Sequence, residues 1–371
     1  MTLPFIELNT QYKRLENQIQ QRIQTVLNHQ QYIMGPEIEE LESVLANFLG
    51  VKHAIALSSG TDALLIALMA LGVTVGDEVI TSPFSFFATV EVIVLLGARP
   101  VFVDISPKTY NMDPSLIERA ITPKTKAILP VSLYGQCADV QTINAIAEKY
   151  QLPVIEDAAQ SFGATHHGKH SGAITTIGCT SFFPSKPLGA YGDSGACFTN
   201  DDLLAEQMRS IRVHGQEGRY HHPIIGLCGR MDSLQAAILL EKMTIFPEEV
   251  ALRKEIGERY TALLAPLVKT PYIEPFNTST YAQYTIEVPE RERLGSFLKT
   301  QGIPTAVHYP CPLHRQPAMA YLNLPCGRYP ESERVSRHVI SLPMHPYLER
   351  SQQDQIIEVI REALNKGDCH V

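Results

Sequence analysis

Ala54–Ile55–Ala56–Leu57–Ser58–Ser59–Gly60–Thr61–Asp62 changes character twice: an apolar run gives way to small polar residues, and these open into a helix-forming stretch, Asp62–Leu71. A short apolar run of this kind reads as a buried strand. The small residues after it let a backbone come close to a ligand, and the free amides at a helix start point toward an anion. Taken alone, the turn also reads as a plain strand-to-helix connection capped by Ser or Thr.

The same unit repeats outward. Glu78–Thr81, Val101–Asp104, Ala127–Val131 and Pro153–Asp157 read as further buried strands, separated by helical stretches at Phe87–Leu96 and Val140–Tyr150. This alternation predicts an α/β fold with a mainly parallel sheet between helices. Upstream, Leu15, Ile19, Ile23, Val26 and Leu27 keep a helical period. A second helix, after Gly35 and Pro36, carries Ile38, Leu41, Val44, Leu45 and Phe48 and ends at Gly50. Around Phe246–Pro247 apolar runs thin out and prolines increase, with one strand expected at Tyr284–Val288. The division expected is a large domain over 1–246 and a smaller α+β C-terminal domain over 247–371, which suits a chain of 371 residues.

A net charge of −8 disfavours a nucleic-acid or anionic-membrane partner, because both require a concentrated basic surface. No stretch approaches a membrane span, and Met1–Gln11 lacks the pattern of a secretion signal, so a cytoplasmic location is expected. The seven cysteines, Cys137, Cys179, Cys197, Cys228, Cys311, Cys326 and Cys369, form no CxxC pair and read as reduced thiols. His166, His167 and His170 lack companion ligands at metal-site spacing and read as a solvated loop, with no metal expected. Gly163–Lys169 nearly spells a P-loop, but His170 replaces the magnesium-binding Ser or Thr.

Ligands of an open parallel sheet gather beyond the carboxyl ends of its strands. Asp157 ends one buried run, and a buried carboxylate needs a partner. A protonated pyridine nitrogen is one such partner; a helix-capping role is the other reading. Lys186 stands alone in Ser181–Phe182–Phe183–Pro184–Ser185–Lys186–Pro187–Leu188–Gly189, where partial desolvation favours the neutral amine required for a Schiff base.

Taken in order, the small-residue turn, the carboxylate and the turn-bound lysine resemble the sugar aminotransferases of the DegT/DnrJ/EryC1/StrS family, among the fold type I pyridoxal-phosphate enzymes. The likeness runs from Pro4 to about Leu364 and rests on SSGTDALLIAL, SPFSFFATVEVI, VIEDAAQSFGA and SFFPSKPLGAYGDSGA. It implies that Lys186 carries pyridoxal 5'-phosphate, that Asp157 pairs with the ring nitrogen and that Gln160 lies beside the ring hydroxyl. Phe86 would stack on the ring, although core packing is its other reading, and Gly60, Thr61 and Ser181 would hold the phosphate. Where relatives have Asn in G-x-N-x-R, reaching the phosphate in the partner subunit, this chain has Cys228, a weak donor.

Arg230, His308 and Tyr309 are the substrate-side candidates. Val307–Pro317 resembles enzymes that aminate C3 of a UDP-linked 3-keto sugar uronate, UDP-2-acetamido-2-deoxy-3-keto-glucuronate, for surface polysaccharide such as lipopolysaccharide O-antigen. By the same resemblance L-glutamate is the donor and the enzyme is a homodimer with shared sites. Amination at C4, or at C3 of another nucleotide sugar, stays open. The dehydratase branch of the family has His in place of the lysine, so Lys186 argues against it. A ligand-sensing regulator without turnover is the reading from another class.

Overall fold

The computed structural model describes residues 3–365, so Cys369 and the last residues of the expected C-terminal domain lie outside it. Helix α1, Asn9–His29, buries Leu15, Ile19 and Val26 along one stripe, and α2, Pro36–Leu49, buries Ile38, Leu41 and Leu45. Proline suits the first position of α2, where no intrahelical acceptor waits for an N–H. Gly50 ends the helix at φ 70°, a left-handed conformation that costs glycine little, and returns its N–H to Ala46 O.

The central sheet uses β1 (His53–Leu57), β2 (Glu78–Thr81), β3 (Arg99–Phe102), β4 (Thr125–Leu129) and β5 (Ile155–Asp157), which alternate with α3 (Gly60–Ala70), α4 (Ala88–Leu95) and α5 (Val140–Lys149). A small hairpin, β6 (Thr165–His166) and β7 (Lys169–His170), precedes β8 (Ile177–Ser181) and β9 (Gly195–Thr199). Parallel bridges Ile128–Val154 and Val131–Asp157 join β4 to β5. The strand order is therefore β3-β2-β4-β5-β8-β9-β1, in which β9 alone runs against its neighbours. The expected α/β architecture with a mainly parallel sheet is present.

Several details differ from the reading of the sequence. The strands expected at Val101–Asp104 and Ala127–Val131 begin two residues earlier, at Arg99 and Thr125, because the ladder with β2 sets their register. β8 and β9 gave no apolar run, since Ile-Gly-Cys-Thr-Ser and Gly-Ala-Cys-Phe-Thr pack small side chains. At Gly178 any side chain is excluded, because a Cβ would stand 2.0 Å from Gly172 O. The histidine segment is likewise a hairpin and not a solvated loop: His166 is buried, and its Nδ1 lies 2.7 Å from Asn277 Oδ1.

After α6 (Asp202–Arg212) and α7 (Ser233–Met243), helix α8 (Phe246–Leu264) spans two cores. Phe246 packs with Phe162, Phe182 and Phe198 under the sheet. Ile256, Tyr260 and Leu264 instead join β10 (Tyr284–Glu287), α9 (Arg291–Thr300), β11 (Val339–Leu342) and α11 (Arg350–Asn365), while α10 (Pro330–His338) sends Val335 into the first core. This second core gathers Tyr284, Ile286, Leu298, Ile340 and Ile356, and the N-terminal Leu3 packs into it as well.

Phe162 is the hub of the first aromatic cluster, with ring centroids of Phe48, Phe182, Phe198 and Phe246 all within 5.9 Å. Phe162→Ala is expected to cost about 3–5 kcal/mol of unfolding free energy in urea titrations, the range for emptying a packed aromatic site.

Candidate active site

The turn after β1 is built for close approach. Ser59 caps α3 by accepting the Asp62 N–H at 3.0 Å, and the Ser58 hydroxyl bonds the Asp62 carboxylate. Gly60 and Thr61 occupy the first two helical positions, whose amides have no intrahelical acceptor. A Cβ on Gly60 would lie 2.6 Å from Ser181 Cβ, and one on Gly195 would lie 2.5 Å from Ser59 O. The start of α3 is thus pressed against the end of β8, and the two glycines leave the Gly60, Thr61 and Ser181 groups room to hold an anion.

Asp157 ends β5 inside the protein. Its Oδ1 accepts the Ala159 N–H at 3.1 Å and its Oδ2 accepts the Thr89 hydroxyl at 3.2 Å. Burial raises the pKa of this carboxyl, while the Ala159 N–H, the charge of Lys186 and the Thr89 hydroxyl oppose the rise. Lys186 is the reciprocal case. Burial lowers the pKa of its ammonium and the charge of Asp157 works the other way, so the two groups sit within electrostatic reach of each other.

The loop carrying Lys186 is held from several sides. Lys186 N donates to Phe183 O at 2.8 Å, Ala190 N to Phe182 O at 2.7 Å, and the buried ammonium of Lys242 to Gly189 O at 2.6 Å. Lys242 also lies 4.2 Å from the centre of the Tyr191 ring, a cation–π contact.

Gln160 uses both ends of its amide: Oε1 accepts the Tyr134 N–H at 2.9 Å and Nε2 donates to the Tyr309 hydroxyl at 3.1 Å. Tyr309 lies near Phe84 and Phe86, with ring centroids 6.2 and 6.4 Å away. His308 contacts Ser341 Oγ through Nδ1 at 2.8 Å, and the Tyr134 hydroxyl donates to its carbonyl. Burial, with the charge of Lys186 adding to it, pushes the His308 pKa down to about 4, so its imidazole is neutral at pH 7. Phe86 is 57% exposed although its neighbours Phe84 and Ser85 are buried, leaving an aromatic surface free at the site.

Arg230 stands apart from this group. It bridges to Leu57, donates from Nη2 to Cys228 Sγ at 2.9 Å and has a buried Nε with no partner among the described residues. The structure therefore brings Gly60 to Ser181, Asp157 to Lys186, and Gln160 to Tyr309, whereas Cys228 and Arg230 pair with each other beside the β1 turn. Thr89, Tyr134 and Lys242 were not singled out from the sequence; a helical threonine, a loop tyrosine and a helical lysine carry no local signal. A cleft of about 940 Å³ along β3, lined by Arg99, Arg119 and Arg328, contains none of these groups.

A poorly solvated amine, a carboxylate that can hold a proton on a cationic ring nitrogen, an anion cradle and a free aromatic face fit a phosphorylated pyridine aldehyde. Known proteins agree. The pattern of the DegT/DnrJ/EryC1/StrS aminotransferase family matches residues 13–361. A protein of Pseudomonas aeruginosa named UDP-2-acetamido-2-deoxy-3-oxo-D-glucuronate aminotransferase is 55% identical over 363 residues, 98% of this chain and 99% of its own. A Geobacillus stearothermophilus protein named pleiotropic regulatory protein is 46% identical over 98% of both chains. The crystal structure of a DegT DnrJ EryC1 StrS aminotransferase from Brucella abortus superposes with a TM-score of 0.95 at 43% identity, covering 98% of this chain and 99% of that one.

The electrostatics give a direct test. Labelling of Lys186 by an amine-selective reagent, followed by mass spectrometry across pH, is expected to show a midpoint below the ordinary lysine value of 10.5. In Asp157→Asn the midpoint is expected to fall further, because the charge that favours the ammonium is gone.

Proposed function

The chain belongs to the DegT/DnrJ/EryC1/StrS aminotransferase family, and from that premise we propose that it transfers an amino group to C3 of UDP-2-acetamido-2-deoxy-3-keto-glucuronate, with L-glutamate as the donor. It is a pyridoxal-phosphate-dependent aminotransferase. The observation that carries the substrate assignment is the likeness, along nearly the whole chain, to the glucuronate aminotransferase.

When bound, pyridoxal phosphate supplies an aldehyde that captures amines and a ring that accepts electrons from a carbanion. The chain's own groups do the rest. Gly60, Thr61 and Ser181 would hold the phosphate, Asp157 would keep the ring nitrogen protonated, Phe86 would lie against the ring, and Gln160, fixed by Tyr134 and Tyr309, would have an N–H left for the ring hydroxyl. Lys186 Nζ would hold the cofactor, and its amine, kept neutral by burial, would take a proton from the substrate carbon and return one. His308, neutral near pH 7, offers a ring nitrogen to the sugar without adding charge beside Lys186.

Cys228 and Arg230 act in this scheme from the partner subunit of a homodimer, Cys228 near the phosphate and Arg230 gripping the uronate carboxylate or the diphosphate. Tyr32, Ile33, Met34, Tyr220 and Ile225 are exposed and would be available to such an interface. Free thiols at the six described cysteines fit a reducing, cytoplasmic compartment, where the product would feed surface polysaccharide such as O-antigen.

The test begins with enzyme converted by L-glutamate to its aminated form and freed of donor. The 3-keto uronate is expected to restore the aldehyde-form spectrum faster than a 4-keto nucleotide sugar, and the reverse order would overturn the substrate assignment. The name of the Geobacillus relative favours a second reading, a regulator that binds the nucleotide sugar without converting it; binding with no change of spectrum would establish that reading instead. Lys186→Ala is expected to lower turnover by about 10²–10⁴-fold or more, the range for a lost general acid–base group.

A further inference from the structure

The segment between β2 and α4 carries more than an aromatic cover. Ser85 and Thr89 are both buried, 3% and 0% exposed, and their hydroxyl oxygens stand 3.0 Å apart. Thr89 Oγ1 in turn stands 3.2 Å from Asp157 Oδ2, so a hydroxyl chain runs from Ser85 through Thr89 to the carboxylate. A threonine hydroxyl has a single proton. With Asp157 ionised, that proton is committed to Oδ2, and Ser85 must then be the donor to Thr89. Each hydrogen bond in such a chain polarises the next in the same sense. A neutral Asp157 would accept the same bond more weakly, because an uncharged oxygen is a poorer acceptor than a carboxylate.

The remaining surroundings show why the chain matters. The titratable groups that face Asp157 are Lys186 from the loop after β8, Tyr309 from the C-terminal part of the chain and Cys179 on β8. Lys186 supplies positive charge only while protonated, and its amine must be neutral to react. At that moment the carboxylate keeps the Ala159 N–H on Oδ1 and the Thr89 hydroxyl on Oδ2. Asp157 also sits beyond the start of α4, and Thr89 donates its backbone N–H to Phe86 O at 3.3 Å. One short segment therefore places both the aromatic ring and the donor to Asp157.

We propose that Thr89, backed by Ser85, is a positioning residue that locks the Asp157 carboxylate in its charged form and orientation toward the ring nitrogen of the cofactor. The inference rests on the assignment of Asp157 to that nitrogen.

The test is the affinity of cofactor-free protein for pyridoxal phosphate, measured by equilibrium dialysis between about pH 5 and 9. Thr89→Val keeps the shape and removes the hydroxyl. The pH at which affinity falls on the acid side is expected to move up by about one unit, with roughly tenfold weaker binding at the wild-type midpoint. Thr89→Ser is expected to restore the wild-type profile, and Ser85→Ala to shift it in the same direction by less; Ser85→Ala also serves as the readout if the valine variant fails to fold. A Thr89→Val profile that superimposes on wild type, or is weaker by one factor at every pH, overturns the inference. Asp157→Asn binding the cofactor as tightly as wild type would overturn the underlying assignment together with the inference. Loss of binding in Asp157→Asn alongside an unshifted Thr89→Val profile would overturn the inference alone.

Discussion

Burying a carboxylate and an amine in one site costs desolvation on both sides, and the mutual attraction of Asp157 and Lys186 returns only part of that cost. The site exploits this imbalance. Lys186 gives up its proton more readily than an exposed lysine, and Asp157 is left wanting a cation that a protonated ring nitrogen can supply. Much of the surrounding structure holds these two groups at the carboxyl ends of neighbouring strands while keeping water away.

Three parts of the fold serve that end. β5 and β8 lie side by side in parallel, so Asp157 and the segment after Ser181 emerge at the same rim. The close contacts at Gly60 and Gly195 keep the start of α3, the proposed phosphate cradle, next to that rim. The C-terminal part of the chain contributes His308 and Tyr309, bound to the sheet-bearing body through Tyr134 and Gln160. Gln160 thus ties Tyr309 to the Tyr134 segment, and the proposed cofactor and substrate groups are mechanically linked through it.

Much of the site was legible along the chain because its signals are local. A strand that runs into Ser-Ser-Gly-Thr-Asp, an Asp at the end of Val-Ile-Glu-Asp and a lone Lys among Phe, Pro and Gly each declare themselves within a few residues. β8 and β9 did not, because their small residues are chosen for tight packing and not for apolarity; Gly178 must pass within van der Waals contact of Gly172. Thr89 and Lys242 were equally silent. Each lies on a helix whose pattern explains its presence, and only the partner reached, Asp157 at a separation of 68 residues or Gly189 at 53, gives it a role.

What the sequence determined by itself was the alternation of strand and helix, the parallel sheet it implies and the choice of Lys186 and Asp157 as the candidate amine and acid. Those features depend on periodicity and on residues adjacent in the chain. Tertiary structure decided the order of the strands, the insertion of one reversed strand, the pairing of Gln160 with Tyr309 and of Arg230 with Cys228, and the hydroxyl chain behind Asp157. These are contacts between segments far apart in sequence, and their distances and burial come into existence only when the chain has packed.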